Sequence, residues 1–366
     1  DEIVSLARAH DCDVIVIDNG LAPSQQREWE KLADLCVIDR EEVILDIFAK
    51  RAQTKEARLQ VELARMQYAL PRLARMWGHL DREGGSGGGQ GGGAARGMGE
   101  KQIEVDRRLA NLSIDRCKRE LEQVRKQRRT QRKEREKLET PHAAIVGYTN
   151  AGKSTLLNAL SGADVMAKDM LFATLDTTTR RIDLPDGQPL LLTDTVGFVR
   201  NLPHRLVEAF KATLEEVVEA DLLIHVVDTS HPNAAQQMEA VNAVLADIGA
   251  QEKPMLMVFN KIDKPGATEM AAMCCQQFPK AVAVSARKKQ GFESLFAELG
   301  AMLKPIREFV EIRIPHHEQK VMSRLHSVAQ VVEQDYSGEE ACFRVRIPPY
   351  LRHEFEHYLV SSHDGD

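Results

Sequence analysis

The chain is predicted to be an α/β protein centred on a doubly wound, mostly parallel sheet, and three observations predict it. Apolar runs at residues 143–146, 190–193, 222–227, 255–259 and 281–284 alternate with helical periodicity, as expected for strands that helices cover on both faces. The first run leads into Gly147-Tyr148-Thr149-Asn150-Ala151-Gly152-Lys153-Ser154-Thr155, a glycine-punctuated turn that opens a helix. Upstream, apolar residues recur at steps of three and four on both sides of a glycine tract, the pattern of a long antiparallel helical hairpin.

At 366 residues the chain exceeds one ordinary domain. Four blocks are expected: a partial α/β subdomain at 1–50, the hairpin at 51–139 with its glycine-rich loop at 84–99, the central domain at 140–304, and a small α+β domain at 305–366. The six cysteines, Cys12, Cys36, Cys117, Cys274, Cys275 and Cys342, form no CxxC pair, which argues against disulfides or a structural zinc site and favours a reducing, cytoplasmic setting. No apolar stretch approaches the ~18 residues that a membrane span requires. The sequence opens at Asp1 without a methionine, so a targeting segment or the first part of a domain is expected ahead of it.

In the first block Asp13-Val14-Ile15-Val16-Ile17-Asp18 and Leu35-Cys36-Val37-Ile38 read as buried strands between helices. From about residue 44 to 77 the pattern is helical. Leu63, Met66, Leu70, Leu73 and Trp77 form a seam that Pro71 interrupts. Beyond the glycines a second helix is expected from about 100 to 139, with Ile114, Cys117, Leu121 and Val124 repeating the seam. Residues 116–137 carry eleven Lys or Arg against four Glu, although the net charge of the chain is −6. That face is either simply solvated or made for a polyanion, with Lys126, Arg128, Arg129, Arg132 and Lys133 as the candidate RNA contacts. After residue 305, residues 309–314 and 342–347 alternate as half-buried strands, each followed by a helical stretch, and a βαβα appendage is expected.

The central block carries the chemistry. Residues 147–155 match GxxxxGK[ST], in which glycines let backbone N–H groups close around phosphates, Lys153 reaches the β/γ oxygens and Ser154 ligates magnesium. Asp194-Thr195-Val196-Gly197 gives DxxG, a carboxylate for magnesium and a glycine N–H for the γ-phosphate. Asn260-Lys261-Ile262-Asp263 matches NKxD, whose aspartate accepts two hydrogen bonds from guanine that adenine cannot offer. Ser285-Ala286 would add backbone donors to the guanine O6. Four motifs in this order, each at a strand end, specify a P-loop GTPase domain that binds GTP and GDP with Mg²⁺. Catalytic positions are assigned to Lys153, Thr174 and Gly197. Nucleotide contacts go to Gly147, Asn150, Ala151, Gly152, Lys153, Ser154, Thr155, Asp194, Gly197, Asn260, Lys261, Asp263, Ser285 and Ala286, and magnesium ligation to Ser154, Thr174 and Asp194.

Two departures from the commonest pattern matter. Phe198 stands where Ras-like proteins place the glutamine that orients the attacking water, so slow intrinsic turnover is expected. Asn150 is either a turn residue, since asparagine is comfortable in turns, or a ligand for potassium, K⁺, near the β/γ bridge. Residues 172–180 read as the first switch, and Thr174 is the threonine assigned to the magnesium shell.

Together, residues 147–155, 172–180, 194–203 (DTVGFVRNLP), 260–263 and 285–291 resemble an HflX-type GTPase. The resemblance extends upstream through 59–64, the YALPRL of 68–73, and 96–104 (RGMGEKQIE), and so spans nearly the whole chain. The glycine stretch 84–93 is expanded and Met98 replaces the usual proline, which leaves the geometry of that loop open. The resemblance implies a bacterial or organellar factor that binds the large ribosomal subunit and its rRNA in the GTP form and helps to split stalled or idle ribosomes; a monomer with no membrane partner is expected. Two alternatives stand beside it: a GTPase acting in large-subunit assembly, and an RNA- or protein-binding module with vestigial hydrolysis. His316-His317 and Cys274-Cys275 are isolated from other ligand-like residues, and packing or surface roles are expected for them.

Overall fold

The structure is a computed structural model that describes residues 1–73, 94–136, 140–163, 172, 174–185, 187–200, 211–303, 308–336, 338, 340–347 and 349–360. It divides into two compact units, one built on Asp1–Gln127, the other on Arg128–Asn201 and Thr213–Asp366.

The first unit runs α1 (Glu2–Ala9), β1 (Val14–Ile17), α2 (Pro23–Ala33), β2 (Cys36–Asp39), α3 (Arg40–Arg51) and α4 (Lys55–Ala69), and continues into α5 (Ala94–Glu136). The expected strands pair in parallel, with Ile15 beside Val37. Local chemistry sets the helix starts. Pro23 occupies the first turn of α2, Asp39 caps α3 by accepting from the Glu42 N–H at 2.9 Å, and Thr54 caps α4 through Ala57 N–H at 3.1 Å. The helices α4 and α5 are antiparallel: Lys55 reaches Glu120, while Leu59, Leu63 and Met66 cluster with Cys117 and Leu121.

The predicted seam is only partly used. Leu63 and Met66 serve it, but the most buried face of α4 is Ala57, Val61, Ala64 and Tyr68, because α3 also packs on this helix. Leu70 opens a 3-10 turn with Pro71 as its second residue, and Trp77 and loop residues 84–93 lie outside the described residues. Helix α5 begins at Ala94, earlier than the expected residue 100, and carries Gly97 and Gly99 at a cost of about 1 kcal/mol each relative to alanine.

A six-stranded sheet with order β4-β5-β3-β6-β7-β8 forms the heart of the second unit among the described residues. Its strands are β3 (His142–Gly147), β4 (Thr178–Asp183), β5 (Pro189–Asp194), β6 (Leu222–Asp228), β7 (Met255–Asn260) and β8 (Ala281–Ala283). All neighbours are parallel except β4, which runs antiparallel to β5. Strand β4 was not expected. Ile182 is its single aliphatic residue, and an edge strand exposed on one side needs no apolar run. Helices α6 (Lys153–Ser161), α7 (Lys211–Glu219), α8 (Ala234–Asp247), α9 (Ala267–Gln277) and α10 (Phe292–Leu303) connect the strands. Every residue of β6 is buried, as a central parallel strand requires. Strand β3 lies between β5 and β6, where connections depart in opposite directions, so the crevice of such a sheet opens at the carboxyl end of β3.

The C-terminal part differs from the expected βαβα. It holds β9 (Glu308–Pro315), α11 (Gln319–Val328), β10 (Gln330–Asp335), β11 (Glu340–Ile347) and a 3-10 helix at Pro349–Tyr358, with sheet order β10-β11-β9, antiparallel throughout. Strand β10, of sequence QVVEQD, is polar and shifts register between Val331 and Glu333, which breaks the alternation that identifies strands. His316 hydrogen-bonds Gly338 O and stacks on Tyr336, while Cys274 and Cys275 pack against the cluster around Phe259.

Candidate functional site

Four strand ends meet at one edge of the sheet: Gly147, Asp194, Asp228 and Asn260. From Gly147 the chain turns into α6, whose first residue is Lys153. Two glycines are required by contact. At Gly152, with φ +98°, a Cβ would lie 2.3 Å from Asn260 Nδ2; at Gly197 it would meet Thr149 Cα at 2.9 Å and Lys153 Nζ at 3.0 Å. Gly147, Ala151 and Lys153 are buried, Thr155 is half-buried in the first turn of α6, and Asn150 is exposed in the left-handed region at φ 62°. The backbone of the loop and the open N-terminus of α6 together make an anion site.

Each wall of the loop is tied down. Thr149 N–H donates to Phe198 O at 2.8 Å, and Phe198 N–H donates to Gly147 O at 3.1 Å, so the segment after DxxG is zipped to the phosphate loop. The Phe198 ring is 1% exposed. It is a core residue, and orienting water is not open to it. On the other wall Asn260 Nδ2 donates to Ala151 O at 2.9 Å while its Oδ1 accepts from Ala286 N–H at 3.0 Å, which joins three of the predicted motifs through one amide. Asp263 accepts from the Ser285 hydroxyl at 2.6 Å, and that bond, ahead of the nearby cations of Lys288 and Arg287, holds its carboxyl below the usual range.

Ser154, Thr174 and Asp194, assigned together from sequence, do converge. The Ser154 hydroxyl donates to Asp194 Oδ2 at 2.6 Å, the Thr174 hydroxyl to the same oxygen at 2.7 Å, and the two hydroxyls lie 2.6 Å apart. Asp194 Oδ1 is buried and has no hydrogen-bond partner among the described residues. One carboxylate and two hydroxyls are hard oxygen donors of the kind that suit a small divalent cation. Burial pushes the Asp194 carboxyl up, against the pull of Lys153, Ser154 and Thr174, and it draws the Lys153 ammonium down to about 8, against the pull of Asp194. Lys153 Nζ donates to Tyr148 O at 2.9 Å. A buried ammonium with loop N–H groups beside it can offset the charge of a polyphosphate, while the Asp194 carboxylate and the two hydroxyls are free to hold a cation next to it.

Sequence reasoning missed Asp228. It ends β6 and accepts from Lys261 Nζ at 2.7 Å, while the same ammonium donates to Asn150 O at 2.7 Å. Burial raises the Asp228 carboxyl, but the Lys261 and Ser230 hydrogen bonds more than offset it and hold it low. Asp228 therefore aims the lysine of NKxD at the phosphate loop. The signal was an aspartate at a strand end on the crevice side. Among the RNA candidates, Lys126 is exposed and pairs with Glu122, whereas Arg128 turns to Glu216; the side chains of Arg129, Arg132 and Lys133 lie outside the described residues.

The segments that build this geometry recur in known proteins. Residues 142–261 match the family model described as "50S ribosome-binding GTPase", residues 51–135 that of the "GTP-binding GTPase Middle Region", and residues 1–49 "GTP-binding GTPase N-terminal". The GTPase HflX of Akkermansia muciniphila is 55% identical, with 98% of this chain and 84% of that protein aligned. That of Escherichia coli K12 is 43% identical over 95% of this chain and 80% of the relative. Among solved structures, a GTP-binding protein from the archaeon Sulfolobus solfataricus in complex with GDP is similar at 24% identity and a TM-score of 0.46, covering 82% of this chain and 84% of that one. Matches to the curated relatives run almost end to end, and residues 142–261 match a GTPase family model, so the chain belongs to the GTPase HflX family and is a GTP-binding, GTP-hydrolysing protein.

Proposed function

We propose that this GTPase binds the large ribosomal subunit in its GTP form and promotes the separation of stalled or idle ribosomes into subunits. The observation that carries the reading is the convergence of Ser154, Thr174 and Asp194: a first-switch residue, a phosphate-loop residue and the DxxG aspartate share one oxygen, so the switch segment can follow nucleotide state. The family model matched by residues 142–261 is described as ribosome-binding, which supports the choice of partner. In this reading Ser154, Thr174 and Asp194 hold Mg²⁺, which when bound neutralises charge on the β- and γ-phosphates. Lys153 and the N–H of Gly197 address the γ-phosphate, Asp263 with Ser285 and Ala286 reads guanine, and Thr174 orders the first switch. Asn150 is the proposed K⁺ ligand; an unchanged rate when K⁺ is replaced by Na⁺ removes that role.

With Phe198 buried, hydrolysis is slow until the ribosome completes the site. The hairpin of 51–139 with its glycine tract approaches ribosomal RNA, Lys126 contributes to the phosphate contacts, and the GTPase domain at 140–304 sits at the factor-binding site. The protein works as a cytoplasmic monomer; among the described residues no helix is long and apolar enough to cross a membrane. Sucrose-gradient analysis of ribosomes with the protein and a non-hydrolysable GTP analogue tests this reading: free subunits are expected. Intact ribosomes that retain the bound protein would contradict it.

A further inference from the structure

One face of the central sheet carries a polar chain in a place where apolar packing is the rule. Glu216 of α7, 9% exposed, accepts from Arg128 Nη2 at 2.5 Å through Oε1, and its Oε2 stands 4.0 Å from His142 Nε2. The same ring nitrogen is 2.7 Å from the hydroxyl of Thr193, which is fully buried, and Thr193 Oγ1 is 2.8 Å from Thr179 Oγ1. Register explains the contact between the threonines: Thr179 of β4 is the direct partner of Thr193 in β5.

The ends of this chain are informative. Arg128 is the residue at which helix α5 enters the second unit. Thr193 immediately precedes Asp194, and Thr179 lies in the strand that closes the first switch, beside Thr178, the partner of Asp194. Helix α7 follows the DxxG segment. A chain of this kind is a costly way to add stability, because a buried carboxylate and a histidine can usually be replaced by apolar groups with no loss.

We infer that Arg128, Glu216, His142 and Thr193 are positioning residues for GTP hydrolysis: a relay through which the end of α5 sets the placement of β4 and Asp194. None of them touches nucleotide; each acts by holding the next. When Arg128 holds Glu216 toward His142, the imidazole fixes the Thr193 rotamer, and Thr193 fixes Thr179 at the base of the first switch. The relay lies within the GTPase domain, so it operates on intrinsic turnover whether or not the partner is ribosomal.

The test is a double-mutant cycle in the full chain, read as intrinsic GTP turnover at saturating GTP alongside KM and the melting temperature. Thr193→Val keeps the shape and removes the hydroxyl. Thr193→Val and Arg128→Ala are each expected to lower kcat about five-fold with KM nearly unchanged, the double variant to lose no more than either alone, and Thr193→Ser to restore the rate. If Thr193→Val does not fold, Thr179→Val combined with Arg128→Ala gives a cycle across the same relay. Unchanged kcat with a lowered melting temperature reduces the chain to a structural staple, and strictly multiplicative losses in the double variant show that the two ends are independent. Either result overturns the proposal.

Discussion

At the residue scale, single side chains decide which nucleotide fits and how the domain responds to acid. Asp263 is held ionised and aimed by Ser285, so Asp263→Asn should lower GTP affinity by ~1–3 kcal/mol while relaxing discrimination against other bases, as competition binding with GDP, ADP and xanthosine diphosphate would reveal. Gly152→Ala should weaken nucleotide binding as well, because the new methyl group would strike the Asn260 amide that joins three motifs. His225 gives a pH signature. It is buried in β6, its Nδ1 finds no partner among the described residues, and burial first, with the Lys153 charge adding to it, draws its pKa down to about 4. Because the folded value lies below the ordinary 6.5, the neutral ring's contribution is complete above pH ~6.5 and is lost as pH falls toward 4, by up to ~3 kcal/mol. Urea melts at pH 7.5 and 5 should display that loss in the wild type and a smaller one in His225→Leu.

At the scale of elements, the parts that followed a period or a motif were legible and the edges were not. The five core strands of the second unit announce themselves as apolar runs, and the phosphate loop, DxxG, NKxD and Ser285-Ala286 were assigned to the crevice where they lie. Strands β4 and β10 were missed because an edge strand can be polar, and Asp228 because a lone aspartate at a strand end has no spacing to identify it. The hairpin seam was half legible, since α4 serves two neighbours and its pattern is a compromise between them. Its end is pinned by charge instead. Arg72, 7% exposed, donates to Gln26 at 2.9 Å and Leu21 O at 2.7 Å, stacks on Tyr68 and faces the wholly buried Asp39 at 3.4 Å, while the Tyr68 hydroxyl bonds Asp39 at 3.0 Å. Arg72→Met should destabilise the first unit by ~3–5 kcal/mol by leaving Asp39 buried without its cation, and Tyr68→Phe by about 1 kcal/mol. Trp29 packs against the cluster around Val37 in this unit, so fluorescence-detected urea unfolding follows it.

At the scale of the whole molecule, the two units answer to different chemistry: one is a nucleotide machine built on converging oxygen donors, the other a largely helical body that exposes Lys126 on α5. Lys126→Glu should lower affinity for the large subunit and flatten its dependence on salt, because a lysine that no longer neutralises a phosphate releases about one counterion fewer on binding. Hydrolysis is expected to wait for the ribosome, since Phe198 is packed in the core at the position where Ras-like proteins place the water-orienting glutamine. The most direct measurement is the GTP turnover rate of the full chain with and without purified large ribosomal subunits. Turnover should be slow alone and rise markedly when the subunits are added; a rate that large subunits leave unchanged would show that hydrolysis does not wait for the ribosome.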